Sequence, residues 1–100
     1  MVFLSGQLGA DTKGNLVSED VVAQTQKAFE NIGILLEASD LTYDDIVKTT
    51  VLLDDMNDFA KMNEEYVKYF NEPFPARSCF EVAKSPKNAK VEIECIAIKK

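Results

Sequence analysis

Arg77 is the side chain of this 100-residue sequence best suited to chemistry on a small molecule. A guanidinium grips a carboxylate through two parallel hydrogen bonds, a geometry that lysine cannot offer. The other reading of Arg77 is a structural ion pair with one of the 17 acidic side chains, and the residues alone leave both open. Glu92 could position or deprotonate a water, but on the residues alone it reads better as a solvated strand glutamate. Asn63 has a plain reading as an exposed helix residue, and Ser5-Gly6-Gln7 as a turn. There is no histidine. That removes the commonest general base, the Ser-His and Cys-His nucleophile pairs and the usual zinc or iron ligand sets. Cys79 and Cys95, with no CxxC, make no metal framework. Any chemistry must rest on carboxylates, Arg, Lys, Tyr, thiols, hydroxyls or backbone groups.

These residues need elements to hold them. Residues 2–7 read as a short strand, 11–15 as a turn, and Leu16-Val17 as a brief return strand. Ser18 is placed to cap a helix. From there Val22, Thr25, Phe29, Ile32 and Leu36 recur at spacings of three and four, one face of an amphipathic helix that fades near Ala38-Ser39-Asp40. Residues 42–45 form a capped turn, and 46–53 (IVKTTVLL) are β-branched and strand-like. Asn57 can cap a second helix with the stripe Phe59, Met62, Tyr66 and Tyr69, ended by residues 71–75. Residues 77–82 and 91–98 are two further strands around a polar turn at 85–88. The order β-(β)-α-β-α-β-β makes one α/β layer pair, a single domain over residues 1–100.

Alternation in the last two strands then assigns faces. Ser78, Phe80 and Val82 share one side, as do Val91, Ile93, Cys95 and Ala97. With those sets against the helices, the open side carries Arg77, Glu81, Glu92 and Glu94 together with Cys79, Ile96 and Ile98. Such a mixture suits a face packed against another subunit better than one facing water, which predicts homo-oligomerisation. Cys95 reads as a small core residue. Cys79 falls on the opposite side, so no intrachain disulfide is expected.

The net charge of −6 speaks against nucleic acid as a partner, since phosphate binding needs a basic surface. No stretch approaches the roughly 20 apolar residues of a membrane span, and no basic-then-apolar leader opens the chain. A soluble, cytoplasmic protein is expected.

Longer segments carry a resemblance. Leu4-Ser5-Gly6-Gln7, the run DIVKTTVLLDDMNDF at 45–59, Phe74-Pro75-Ala76-Arg77-Ser78, and Ala83-Lys84-Ser85-Pro86-Lys87 followed by Val91-Glu92-Ile93-Glu94 resemble the signature segments of the RidA/YjgF family. The likeness runs from about Val2 to Lys100. It implies an α+β, chorismate-mutase-like mixed sheet with two helices on one face and the last strand inserted centrally. It also implies a homotrimer with three ligand sites in the clefts between subunits. The activity implied is hydrolysis of reactive enamines and imines, such as 2-aminoacrylate, to 2-keto acids and ammonia without a cofactor or metal. On that likeness Arg77 holds the substrate carboxylate and Glu92 orients water or shuttles a proton. Backbone groups at Gly6 and Cys79, with Ser5 and Asn63, shape the pocket. The family also has a preceding Gly-Pro-Tyr segment; this sequence starts at Met1-Val2-Phe3-Leu4, either cut short or naturally without that segment, and a sheet edge is expected near Val2-Phe3-Leu4. Two other functions stand beside the first: a trimeric module that binds keto acids without turnover, and the ribonuclease or translation-inhibitor role attached to some relatives. The acidic charge and missing histidines make the last of these the weakest.

Overall fold

Four segments with two-residue alternation pair into one sheet in the computed structural model, which describes residues 1–100. They are β1 (Val2–Leu8), β2 (Ile46–Leu53), β3 (Ala76–Glu81) and β4 (Val91–Ala97), in the spatial order β1-β4-β2-β3. β4 lies inside the sheet, antiparallel to both β1 and β2, and β3 runs parallel to β2. A parallel pair cannot be joined by a hairpin, and α2 (Phe59–Tyr66) supplies the crossover. With α1 (Val21–Ala38) it covers one face of the sheet. This is the mixed sheet with a central last strand that the resemblance implies.

The α1 stripe is buried through Val21, Thr25, Ala28, Phe29, Ile32 and Leu36. Phe29 is fully buried among four rings, stacking on Tyr69 at 4.3 Å and meeting Tyr43, Tyr66 and Phe70 edge-on. Truncating a ring in such a place costs about 3–5 kcal/mol. Gln24 is buried too, and its amide joins Ser18 O to the Lys90 N–H, tying the helix start to the entry of β4. The helix ends in a Schellman motif: Leu41 N–H donates to Leu36 O, Asp40 N–H donates to Glu37 O, and Asp40 takes φ 59° where glycine is usual.

Several local expectations shift. The α1 cap is Asp20, which accepts from the Ala23 N–H at 3.0 Å, while Ser18 Oγ accepts from Asp20 N–H one step earlier. A carboxylate sits better than a hydroxyl at the positive end of the helix. Asn57 is no cap either: its N–H donates to Asp55 Oδ1, and a short 3-10 turn at Met56–Asp58 leads into α2. Leu16 makes only an isolated bridge to Ala10, so no return strand forms.

The larger correction concerns β3. Its register pairs Thr49 with Arg77, Val51 with Cys79 and Leu53 with Glu81. Thr49, Val51 and Leu53 are buried beneath the helices, so Arg77, Cys79 and Glu81 lie on the helix side and Ser78 and Phe80 on the open side. The alternation holds but the faces are inverted. Phe80 lies on an edge strand and points away from the helices, so this apolar residue is 50% accessible and not in the core. The β4 assignment stands: Val91, Ile93, Cys95 and Ala97 are buried, and Glu92, Glu94 and Ile96 face outward.

Candidate functional site

The residues singled out in the sequence fall into two groups, one near each edge of the sheet. The first group is built on β1 and β4. Between the pairs Leu4–Cys95 and Gln7–Ile93, β1 advances three residues while β4 advances two, so Ser5-Gly6 forms a bulge. Glu92 lies beside this bulge on the open face, opposite Leu8 on one side and Leu52 on the other. Its carboxylate lies directly against Gly6, where a side chain would collide with it. Ser5 is exposed, and its carbonyl accepts from Gln7 Nε2 at 3.1 Å.

The second group is built on β3 and α2. Arg77 Nη1 donates to Asn63 Oδ1 at 2.6 Å. The guanidinium stands 4.7 Å from the centre of the Tyr66 ring and 5.3 Å from that of Phe59. A cavity of about 340 Å³ opens beside it, walled by Asn63, Tyr66, Val67, Phe74 and Pro75. Cys79 comes next on the same side of the strand, half-buried; burial pushes its thiol pKa up and the nearby Arg77 charge pulls it back in part. Burial likewise raises the Tyr66 phenol, against the opposing pull of its Thr49 hydrogen bond and of Arg77.

None of the chain's three ion pairs involves Arg77 or Glu92. The structural ion pair that was the alternative reading of Arg77 is therefore not formed, and its fork is held by an amide oxygen and two rings. Such a guanidinium keeps donors for a carboxylate ligand. No three Cys, Asp or Glu side chains converge where a metal ion could sit. No helix is long and apolar enough to cross a membrane.

The two groups do not meet within one chain. β1 and β3 are opposite edges, about 14 Å apart at the usual strand spacing. Arg77 lies on the helix side and Glu92 on the open side, so the sheet itself separates them. The open face also carries a cavity of about 430 Å³ lined by Phe3, Ser5, Lys48, Thr50, Glu94 and Ile96 among others, and Phe3 is 72% exposed there. Lys48 Nζ is occupied on that face by Thr49 O, Thr50 Oγ1 and Ser78 Oγ.

The aromatic shelf under Arg77 is not apparent from the sequence. The periodic stripe marks Phe59 and Tyr66 as core residues of α2, yet with Asn63 they form the row at 59, 63 and 66 that meets Arg77. The available signal is a polar Asn63 set between two aromatics at helical spacing.

Comparison with known proteins agrees with this architecture. A family model described as Endoribonuclease L-PSP matches residues 1–99. The 2-iminobutanoate/2-iminopropanoate deaminase of Salmonella typhimurium is 50% identical over 103 aligned positions, covering 100% of this chain and 80% of that protein. The chloroplastic Reactive Intermediate Deaminase A of Arabidopsis thaliana is 52% identical over 97% of this chain and 52% of its own length. The crystal structure of RidA from an Antarctic Psychrobacter superposes with a TM-score of 0.91 at 42% identity, covering 97% of this chain and 79% of that one. The chain belongs to the RidA/YjgF family, the family described as Endoribonuclease L-PSP.

Proposed function

We propose that this protein hydrolyses reactive 2-enamino and 2-imino acids to 2-keto acids and ammonia. The observation that carries the reading is Arg77: a guanidinium without a carboxylate partner, held on an aromatic shelf at the mouth of a cavity. The relatives named as deaminases of 2-imino acids supply the substrate class.

The chemistry needs little more than placement. Protonation of an enamine at C3 gives the iminium, whose C2 is already electrophilic. The substrate carboxylate pairs with Arg77, which orients C2. Water adds to C2 as Glu92 accepts one of its protons, leaving a tetrahedral carbinolamine. Return of that proton to nitrogen makes ammonia the leaving group; the C–N bond breaks as the carbonyl forms, and the carbinol hydroxyl proton passes through Glu92 to the departing ammonia, which leaves as ammonium. The sum is iminium plus water to 2-keto acid plus ammonium. A positioned general base contributes about 10²–10⁴ in rate.

Arg77 and Glu92 can serve one substrate only if two copies of the chain supply them. In this proposal the protein is a homotrimer in which the open face of one copy, with Ser5-Gly6-Glu92, meets the β3 edge of the next, with Asn63-Arg77-Cys79. The exposed Phe3 and Phe80 and the part-covered Leu52 and Ile96 of that face support it. The same proposal sets the protein in the cytoplasm with imino and keto acids as its ligands. Nucleic acid is not a partner in it, consistent with a net charge of −6 and no histidine.

The test is turnover of freshly generated 2-aminoacrylate alongside calorimetric titration with 2-oxobutanoate. We expect acceleration of keto-acid release over the spontaneous reaction. Binding without acceleration would make the protein a keto-acid sensor, and the absence of both would remove Arg77 as a carboxylate site. Sedimentation showing a stable monomer at micromolar concentration would remove the shared site.

A further inference from the structure

Arg77 is tied to α2, and one of those ties runs back into the sheet. Phe59, Asn63 and Tyr66 all touch its side chain, but Tyr66 differs from the others. Tyr66 is buried, and its hydroxyl shares a 2.7 Å hydrogen bond with Thr49 Oγ1, itself fully buried on β2. Thr49 is the register partner of Arg77 across the β2–β3 ladder. The contacts therefore close a circuit. It runs from Arg77 on β3 to Thr49 beside it on β2, up to the Tyr66 hydroxyl on α2, and back through the Tyr66 ring to the guanidinium.

We infer that Tyr66 is the positioning residue for Arg77, its ring seating the guanidinium and its hydrogen bond to Thr49 setting the height of that ring above the sheet. This rests on the reading of Arg77 as the carboxylate anchor and deepens it. A guanidinium carbon seated 4.7 Å from the centre of a buried ring is held against that ring and kept from swinging into solvent. Asn63 adds a second hold by accepting from Nη1. The fork is then held at the ring by Tyr66 and at one nitrogen by Asn63 before any ligand arrives. Ordering a long side chain at the moment of binding weakens affinity, and a guanidinium ordered beforehand avoids that loss.

Packing is the competing account of a buried tyrosine, since Tyr66 also meets Phe29 at 5.6 Å and Phe70 at 4.9 Å. The two accounts differ in what governs affinity. If Tyr66 is packing alone, affinity changes only as stability does. If it positions Arg77, affinity tracks the ring and its anchor whatever the stability.

The experiment titrates the full chain and its Tyr66→Leu, Tyr66→Phe, Thr49→Val and Leu36→Ala variants with 2-oxobutanoate by calorimetry, and records each thermal midpoint. Leu36 is a buried α1 residue that serves as a stability control. Tyr66→Leu should raise Kd about 3- to 30-fold, the range of an exposed to a desolvated cation–π contact. Tyr66→Phe and Thr49→Val keep the ring and should each raise it only about 2- to 5-fold, the scale of one hydrogen bond's worth of misplacement. Leu36→Ala should lower the midpoint and leave Kd unchanged. Should Tyr66→Leu not fold, Tyr66→Phe and Thr49→Val carry the test, because both nearly preserve volume. Unchanged affinity in all the Tyr66 and Thr49 variants overturns the inference, as does an equal loss in Leu36→Ala. If the unmodified chain fails to bind 2-oxobutanoate, the carboxylate reading of Arg77 falls and this inference with it. If it binds and Tyr66→Leu binds as well, only the positioning role is lost.

Discussion

Gly6 and Glu92 are in contact across the β1–β4 ladder: a Cβ built on Gly6 would overlap the Glu92 carboxylate oxygen, with the carboxyl carbon 2.8 Å away. The space a methyl group would need is the space the proposed base occupies. Gly6→Ala should therefore displace Glu92 and lower turnover of 2-aminoacrylate by about 10-fold or more, part of the usual share of general-base catalysis. Affinity for 2-oxobutanoate should change less, because Arg77 is on the other half of the site. Steady-state kinetics beside calorimetry will separate the two.

Glu92→Gln keeps the size of the side chain and much of its hydrogen bonding but cannot accept a proton. Turnover should fall about 10²–10⁴-fold with keto-acid affinity changed far less. Equal turnover with Glu or Gln at position 92 would assign the catalysis to Arg77 and the backbone.

Arg77→Lys keeps the charge and loses the two-pronged fork. Binding of 2-oxobutanoate should weaken by about 1–3 kcal/mol, the scale of a charge-assisted hydrogen bond. The thermal midpoint should hardly move, since Arg77 is exposed and makes no ion pair. Undiminished binding by the lysine variant would place the ligand elsewhere.

Asp45 governs an acid-sensitive contact far from the site. Its carboxylate accepts from the Thr42 N–H at 2.9 Å and from the Lys100 N–H at 3.3 Å, joining the turn before β2 to the end of the chain. The Thr42 hydrogen bond, against some desolvation, holds its pKa below the ordinary aspartate value. An unfolded aspartate titrates near about 3.9. Because the folded value is lower, the stabilisation is complete above the unfolded value and is lost as pH falls through the folded one. Asp45→Asn should be less stable than the parent at pH 7, and the gap should narrow below about pH 4. Denaturant titrations at both pH values will show it, and a gap independent of pH would mean that the charge contributes nothing.

Short-range patterns are legible in the sequence where one face of an element meets one layer. The three-and-four spacing from Val22 to Leu36 specifies α1, and the alternation from Val91 to Ala97 specifies which side of β4 is buried. β3 defeats the same logic. Its orientation is set by pairing Thr49 with Arg77, a contact between distant segments, and at an edge the apolar residue need not be the buried one. The caps move for a similar reason: Asp20 and Asp55 outcompete Ser18 and Asn57 as acceptors, and spacing alone does not rank neighbouring cap candidates. As for the site, residue chemistry singles out Arg77, whereas the roles of Glu92, Gly6 and Asn63 come from the family resemblance. Tyr66 escapes notice because a buried ring that packs and a buried ring that carries a cation have the same sequence signature.

Because the proposed halves ride on opposite margins of one sheet, damage to either should be recessive in a mixed population. A chain disabled at Arg77 still offers an intact Glu92 margin, and a chain disabled at Glu92 still offers an intact Arg77 margin. Co-assembled, the two inactive proteins would complement each other wherever the sound margins face, and restore a fraction of the sites that neither possesses alone.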